Sequence, residues 1–470
     1  MMGPAALRLL WWAALVLISM SPPGKAADFR PAVDRYLRAE MRRQHIPGIA
    51  LAVLKDGEAL YVKGYGSATL EHPVAVAPDT VFQLGSIGKQ FTAVAVMLLA
   101  EEHKLNLDDP VSKYLPEVPA SWDKISLRLM LNHQAGIPQY TTPQRQALDL
   151  THDYSDTELI QLAIRLPLDF EPGTDVSYSD VGYVLLGFVI NRVAGEFYGD
   201  FLQQRIFKPL RMDRTRIISD ADIVPGRASG YELRDDDSLR NQTPVSPALN
   251  RTADGSLYST VIDLMKWNRA LDGDGVLPHG KLERMWSVDA HRNGQAPLYH
   301  YGYGWENNHI NGKRVVEYDG NWQGFQAVMS RYTDERLTVI VLTNLALCRT
   351  ERLGHTVAGL VDPTLTPYPV SIADNAPALS KNFGSLLAKA RGTAVGTSLP
   401  ELPASTPTRT LRRDLAELGP ILHFNVAADR DTPEGRTRIY RVEGKDMVEF
   451  YTVKYGADAQ ILALELLREF

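Results

Sequence analysis

Ser86-Ile87-Gly88-Lys89 sets a hydroxyl and an amine three residues apart at the head of a run, Gln90 to Ala100, that is apolar on nearly every side. Residues three apart on a helix share a face, so the Lys89 side chain can reach the Ser86 hydroxyl. A serine hydroxyl is a poor nucleophile until a neighbouring base takes its proton. Burial among Phe82, Leu84, Phe91 and Val94 disfavours a charged lysine, which suits Lys89 to that task. The helix N-terminus adds a positive field and free backbone N–H groups. Ser121-Trp122-Asp123-Lys124 repeats the spacing in a Pro-rich turn after Val118-Pro119, with no apolar helix behind it. Context therefore separates two copies that spacing alone does not.

Two further stretches carry polar groups of the same kind. Tyr178-Ser179-Asp180 heads a second apolar run, and Glu317-Tyr318-Asp319-Gly320-Asn321 precedes Trp322-Gln323-Gly324-Phe325. With Ser86 and Lys89, the set resembles the penicillin-recognising serine hydrolases of the class C β-lactamase type, a family that includes D-peptidases and esterases. Its pattern is Ser-x-x-Lys, then Tyr-x-Asn ahead of a helix, then a Lys/His-x-Gly triplet on an edge strand. Leu131 to Ile137 is similar to the family's His-x-Ser-Gly turn, and Ala253 to Trp267 to its Gly-Gly-Leu-x-Ser segment. The likeness runs from residue 29 to 361.

The resemblance implies Ser86 as the acylated nucleophile and Lys89 as the group that receives or shares its proton. Tyr178 would be a second general base that later donates to the leaving group. The backbone N–H groups of Ser86 and Asn321 would form the oxyanion hole, with substrate contacts at Asp180, Tyr318, Asp319 and Gly320. Two positions depart from the pattern: Asp180 stands in place of Asn, and Tyr318 in place of Lys or His. An ionised Asp only accepts hydrogen bonds, though it can pair with Lys89. Tyr318 offers no charge to a substrate carboxylate.

The expected activity is hydrolysis of esters or small amides through an acyl-enzyme at Ser86, with uncharged acyl groups preferred over carboxylates. The alternative enzyme is a D-amino-acid peptidase or weak β-lactamase. From another class, the alternative is a non-catalytic relative whose cleft binds acyl or peptidoglycan-like ligands. No cofactor and no metal are expected, for the sequence has no His-Glu-x-x-His; nor does it have a Gly-x-Ser-x-Gly elbow or a phosphate loop. His133 reads as a hydrogen-bonded turn residue, and Trp305 and Trp322 equally as core or cleft wall.

These residues must be held by a large core. The chain has 470 residues, 44% of them hydrophobic, and 50 Lys plus Arg stand against 56 Asp plus Glu, without a basic block dense enough to follow a nucleic acid. The partner expected is a small ester, amide or peptide. Arg8, the apolar run Leu9 to Met20 and the small residues up to Ala26-Ala27 read as a secretory signal, so an exported protein without a membrane span after cleavage is expected. Cys348 is the one cysteine, which excludes an internal disulfide.

Periodicity predicts helices over Phe29–Met41, Ile87–Ala100, Ser126–Asn132, Asp156–Arg165, Tyr183–Ala194 and Arg349–Leu360. Strands are expected at Ile49–Leu54 and Ala59–Tyr65, joined by Asp56-Gly57, and again at Gly302–Asn307, Arg314–Tyr318, Phe325–Ser330 and Leu337–Leu342. Strands at both ends of a helical block imply an α/β (α+β) fold: a mixed, mainly antiparallel sheet flanked by helices, with an inserted helical subdomain. The expected division is a signal over 1–26, a hydrolase domain over 27–363, a Pro/Ser/Thr-rich linker over 364–408 and a small α+β unit over 409–470. That unit would have a helix over Leu411–Leu418 and four short strands.

Overall fold

The computed structural model describes residues 28–140, 148–217, 222–234, 236–273, 275–294, 299–366, 371–392, 415, 418–432, 435–444 and 448–466. The expected signal over 1–26 lies outside them, as does the expected Leu411–Leu418 helix apart from Leu415 and Leu418. Among the described residues, no helix is long and apolar enough to cross a membrane.

Gly48–Lys55 and Glu58–Thr69 form a hairpin about Asp56 (φ 54°) and Gly57 (φ 77°). Two left-handed residues are what a two-residue turn needs if its twist is to match that of the strands. The first strand then pairs with Leu337–Thr343, from Ile49 opposite Thr343 to Lys55 opposite Leu337. The two ends of the hydrolase region therefore build one sheet. Its order is Val74–Ala75, Glu58–Thr69, Gly48–Lys55, Leu337–Thr343, Phe325–Tyr332, Lys313–Trp322 and Glu306–Ile310, with every pairing antiparallel.

Both faces of this sheet are covered, which explains why its central strands are apolar at consecutive positions instead of alternating. Ala50, Ala52, Val316, Met329, Ile340 and Leu342 face one core. Ile49, Leu51, Val53, Val328, Val339 and Val341 face another, closed by Val33 and Leu37 of the Arg30–Gln44 helix and by Leu353 and Val357 of the Thr350–Val361 helix. The inserted helical part lies on the first face. At its centre is the Gly88–Glu101 helix, buried from Gly88 to Met97. A helix apolar all round is one surrounded by protein, and the Asp180–Ala194 helix is among its packing partners.

Three expectations need correction. The strand expected over Gly302–Asn307 begins only at Glu306. Gly304 (φ 74°) packs its backbone against the helix of Lys89, and an added Cβ would stand 2.6 Å from the Lys89 carbonyl oxygen. The expected linker contains a helix, Pro377–Gly392. Its Leu379, Phe383, Leu386, Leu387 and Ala390 recur at helical spacing and join the core of a four-stranded antiparallel sheet. That sheet, His423–Thr432, Gly435–Glu443, Val448–Tyr455 and Ile461–Leu466, has longer strands than expected. Finally, a Pro-rich linker implies few contacts between this unit and the hydrolase region, yet the two meet through buried charges. Glu449 meets Arg352 at 2.9 Å, with both side chains at most 2% exposed, and Arg43 and Glu40 of the first helix complete a buried ionic cluster.

Candidate active site

Ser86 stands in a tight turn between a short strand and the central helix. Phe82–Gln83 pairs with Leu257–Ser259, and the Leu84 N–H donates to the Leu257 carbonyl at 2.7 Å. Gly85 (φ 57°) then turns the chain, where a Cβ would lie 2.6 Å from the Asn321 backbone nitrogen. Gly320 is equally constrained, for its Cβ would sit 1.9 Å from the Leu84 carbonyl oxygen. Two glycines thus press the Lys313–Trp322 strand against the turn that holds Ser86.

The strand beside Ser86 has an open edge. Glu306–Ile310 covers it only as far as Glu317. Trp322 and Phe325 close a two-residue hairpin and so exchange hydrogen bonds, which turns the N–H groups of Asn321 and Asp319 toward the uncovered edge. The Asn321 backbone also lies against the turn that holds Ser86.

Lys89 is fully buried and donates in three directions: to Ser86 Oγ at 3.1 Å, to Asp180 Oδ1 at 2.6 Å and to the Asp254 carbonyl oxygen at 2.7 Å. An ammonium has three protons and no lone pair, and here each proton has an acceptor. The pairing of Asp180 with Lys89 that the sequence allows is made, so the desolvated lysine has a carboxylate partner. Ser86 Oγ is also 2.6 Å from the Tyr178 hydroxyl, which donates to Asp180 Oδ1 at 2.8 Å. Burial, and then the Asp180 charge, raise the Tyr178 phenol well above its usual range, so it stands neutral. Burial also works to raise Asp180, but the Lys89 charge and the bonds from Lys89, Tyr178 and Gln139 outweigh it and hold the carboxyl below its ordinary value.

His133 lies behind this group. Its ring stands 4.7 Å from that of Tyr178, and its Nδ1 accepts from the Ser179 N–H at 3.1 Å. Burial and the Lys89 charge push the imidazole down to about 3, so it is neutral with its proton on Nε2. That nitrogen faces the Tyr318 hydroxyl at 3.5 Å. Tyr318 is itself buried, so its phenol does not project into an open cleft as a contact for a substrate carboxylate would. Asp319 points to the other face of the sheet, where it accepts from Gln326 at 3.2 Å. Of the four residues expected to touch substrate, Asp180 lines a cavity, and Gly320 acts through the packing described above.

The second Ser-x-x-Lys copy is unlike the first. Lys124 is 64% exposed and pairs with Glu171 on the surface, while Ser121 is exposed. Trp305 belongs to the core; Trp322 is only partly buried, donates to Asn250 at 3.2 Å and forms a wall of the cavity beside Asp180. Sequence reasoning missed Gln139, Asn250 and the carboxyl of Asp254. Each comes from a loop distant in the chain, and no spacing signals it.

Fold and site together define a serine hydrolase of the β-lactamase-related type. The chain belongs to the family described as Beta-lactamase, which matches residues 33–355. It is 30% identical over 312 residues to penicillin-binding protein 4* of Bacillus subtilis (strain 168), an alignment covering 63% of this chain and 68% of that protein. The D-stereospecific amidohydrolase from Streptomyces sp. superposes with a TM-score of 0.60 at 26% identity, over 69% of this chain and 96% of that one. The octameric penicillin-binding protein homologue from Pyrococcus abyssi, at 23% identity and a TM-score of 0.63, shares the fold over 90% of both chains.

Proposed function

We propose that the protein is an exported hydrolase of esters or small amides that works through an acyl-enzyme at Ser86. The observation that carries this is the unbroken hydrogen-bonded path from Ser86 Oγ through the Tyr178 hydroxyl to Asp180 Oδ1. As Ser86 attacks the acyl carbon, its proton moves to Tyr178 while the Tyr178 proton moves to Asp180. Lys89 donates to Ser86 Oγ and to Asp180 and holds both in place. The oxyanion that forms is received by the N–H groups of Ser86 and Asn321, donors that act on charge present only in the transition state. Tyr178 then protonates the leaving group and recovers its proton from Asp180. In the second half a water gives its proton to Tyr178, whose own proton moves to Asp180, as the water oxygen attacks the acyl carbon; the Ser86 Oγ–acyl bond then breaks, Ser86 takes a proton back through Tyr178 from Asp180, and the acid leaves. Asp180 thereby does the work that a free lysine base does in the scheme implied by the sequence.

The D-stereospecific amidohydrolase similarity keeps amides of D-amino acids among the substrates to try. The test is turnover of a 4-nitrophenyl ester by the native protein and by Ser86→Ala. Turnover should vanish in the variant, while Ser121→Ala matches the native protein. Normal turnover by Ser86→Ala would remove the assignment.

A further inference from the structure

Beside the proposed nucleophile is a cavity of ≈ 250 Å³. Leu148, Leu150, Leu159, Val245 and Trp322 supply apolar walls, and Asp180 and Asp254 line it on the catalytic side. Asp180 is spoken for, with Oδ1 accepting from Lys89 and Tyr178 and Oδ2 from Gln139. Asp254 is different. Its residue is 9% exposed, and its Oδ1 is buried without a hydrogen-bond partner among the described residues.

Lys89 takes the backbone oxygen of Asp254. Among the described residues, no lysine, arginine or histidine lines the cavity. A buried acceptor left unpaired costs the full desolvation of that group, and a charged one costs more. Burial and the Asp180 charge push the Asp254 carboxyl up to about 6, although the Lys89 charge and a bond from Thr252 work against the rise. A ligand that supplies a donor at this point removes the desolvation cost.

We propose that this cavity receives the acyl side chain of the substrate, and that the side chain is apolar along its length and ends in a primary amine bound by Asp254. The inference rests on the reading of Ser86 as nucleophile. The link is geometric: Asp180, in the cavity wall, shares Lys89 and Tyr178 with Ser86 Oγ. It also gives a sign to the specificity. Tyr318 supplies no cation for a substrate carboxylate, and Asp254 supplies an anion for an ammonium group.

Two 4-nitrophenyl esters of equal size test it, those of 4-(aminomethyl)benzoic acid and 4-ethylbenzoic acid, which differ by an ammonium in place of a methyl. With the native full-length protein near pH 8, kcat/KM should favour the ammonium ester about tenfold or more, the range of one hydrogen bond to a charged group. In Asp254→Asn the ratio should fall to within about threefold of unity. Asp254→Asn keeps the backbone oxygen that Lys89 takes, and a measurement on the native protein alone covers the case of a variant that does not fold. There, 4-(aminomethyl)benzamide should inhibit hydrolysis of a neutral ester about tenfold more tightly than 4-ethylbenzamide. Equal or reversed preference in the native protein overturns the proposal, as does an undiminished ratio in folded Asp254→Asn. Hydrolysis of the ethyl ester alone would sink this inference and leave the hydrolase standing; no acylation of Ser86 by either ester would take both down.

Discussion

Asp180 replaces an amide with a carboxylate at the centre of the site, and the consequence is specific. An Asn can donate to a substrate carbonyl but cannot take a proton, whereas Asp180 accepts from Tyr178 and Lys89 at once. Asp180→Asn restores the family's pattern and removes the proton's destination, so kcat should fall about a hundredfold or more, within the span of a lost general base. Steady-state kinetics on a neutral ester decide this; equal or higher activity would mean that Lys89 is the base after all. Tyr178→Phe breaks the path at its middle and should cost about a thousandfold in kcat with little change in KM. At this scale the sequence was readable where residues fall into short motifs. Ser86 with Lys89 and Tyr178 with Asp180 could be picked out, and the two Ser-x-x-Lys copies were told apart by their surroundings. Asp254, Gln139 and Asn250 were not legible, because their roles arise from loops that meet only in the folded chain. Tyr318 was legible as a departure from the family but not as a buried one, since facing His133 is a matter of packing.

Among the elements, the strand Lys313–Trp322 does the most positioning. Helices and strands with a strong apolar period were visible in the sequence to within a few residues at their ends. The Pro377–Gly392 helix was hidden by its Ser, Gly and Lys positions and by the Pro-rich composition that follows, although its five core residues keep the helical period. Gly85 has the clearest consequence: a Cβ there would be driven into the Asn321 backbone, and its φ of 57° disfavours any L side chain. Gly85→Ala should therefore separate the oxyanion donors and lower kcat about a hundredfold, the cost of one such donor, with the global fold unchanged by circular dichroism.

Carboxyls on the sheet and on the Thr350–Val361 helix packed against it carry a second expectation. Burial pushes up the carboxyls of Asp319 to about 6, Glu306 to about 7 and Glu351 to about 8, and repulsion from neighbouring carboxylates adds to it. Values raised above those of the unfolded chain mean that the protonated forms favour folding, a contribution complete below about pH 4 and lost as the pH rises through 6 to 8. The melting temperature should fall across that window. Glu351→Gln should raise it by several degrees at pH 8 and leave it nearly unchanged at pH 5; a gain confined to pH 5 would reverse the sign of the argument.

Across the whole molecule, the coarse plan was legible: strands from both ends, helices between them and a separate C-terminal unit. What composition could not show was how closely that unit docks. Glu449 lies against Arg352 and Arg43 with almost no exposure. Removing one member of a buried ion pair leaves the other uncompensated at about 3–5 kcal/mol, so Glu449→Ala should lower the unfolding free energy by roughly that amount in urea titrations. Ending the chain near Pro363 takes away the same carboxylate but opens both arginines to water, and every residue of the proposed site precedes that point. The shortened chain should fold and turn over ester, with a smaller loss of stability than the point variant. Aggregation, or a folded but inactive product, would show that the C-terminal unit shapes the cleft.

The central claim is that Ser86 forms a covalent acyl-enzyme. The most direct measurement is the intact mass of the protein after incubation with a fluorophosphonate, followed by mapping of the modified peptide. A single adduct is expected on Ser86, absent from Ser86→Ala and formed much more slowly in Tyr178→Phe. An unmodified native protein, or an adduct on Ser121 or any other hydroxyl, would contradict it.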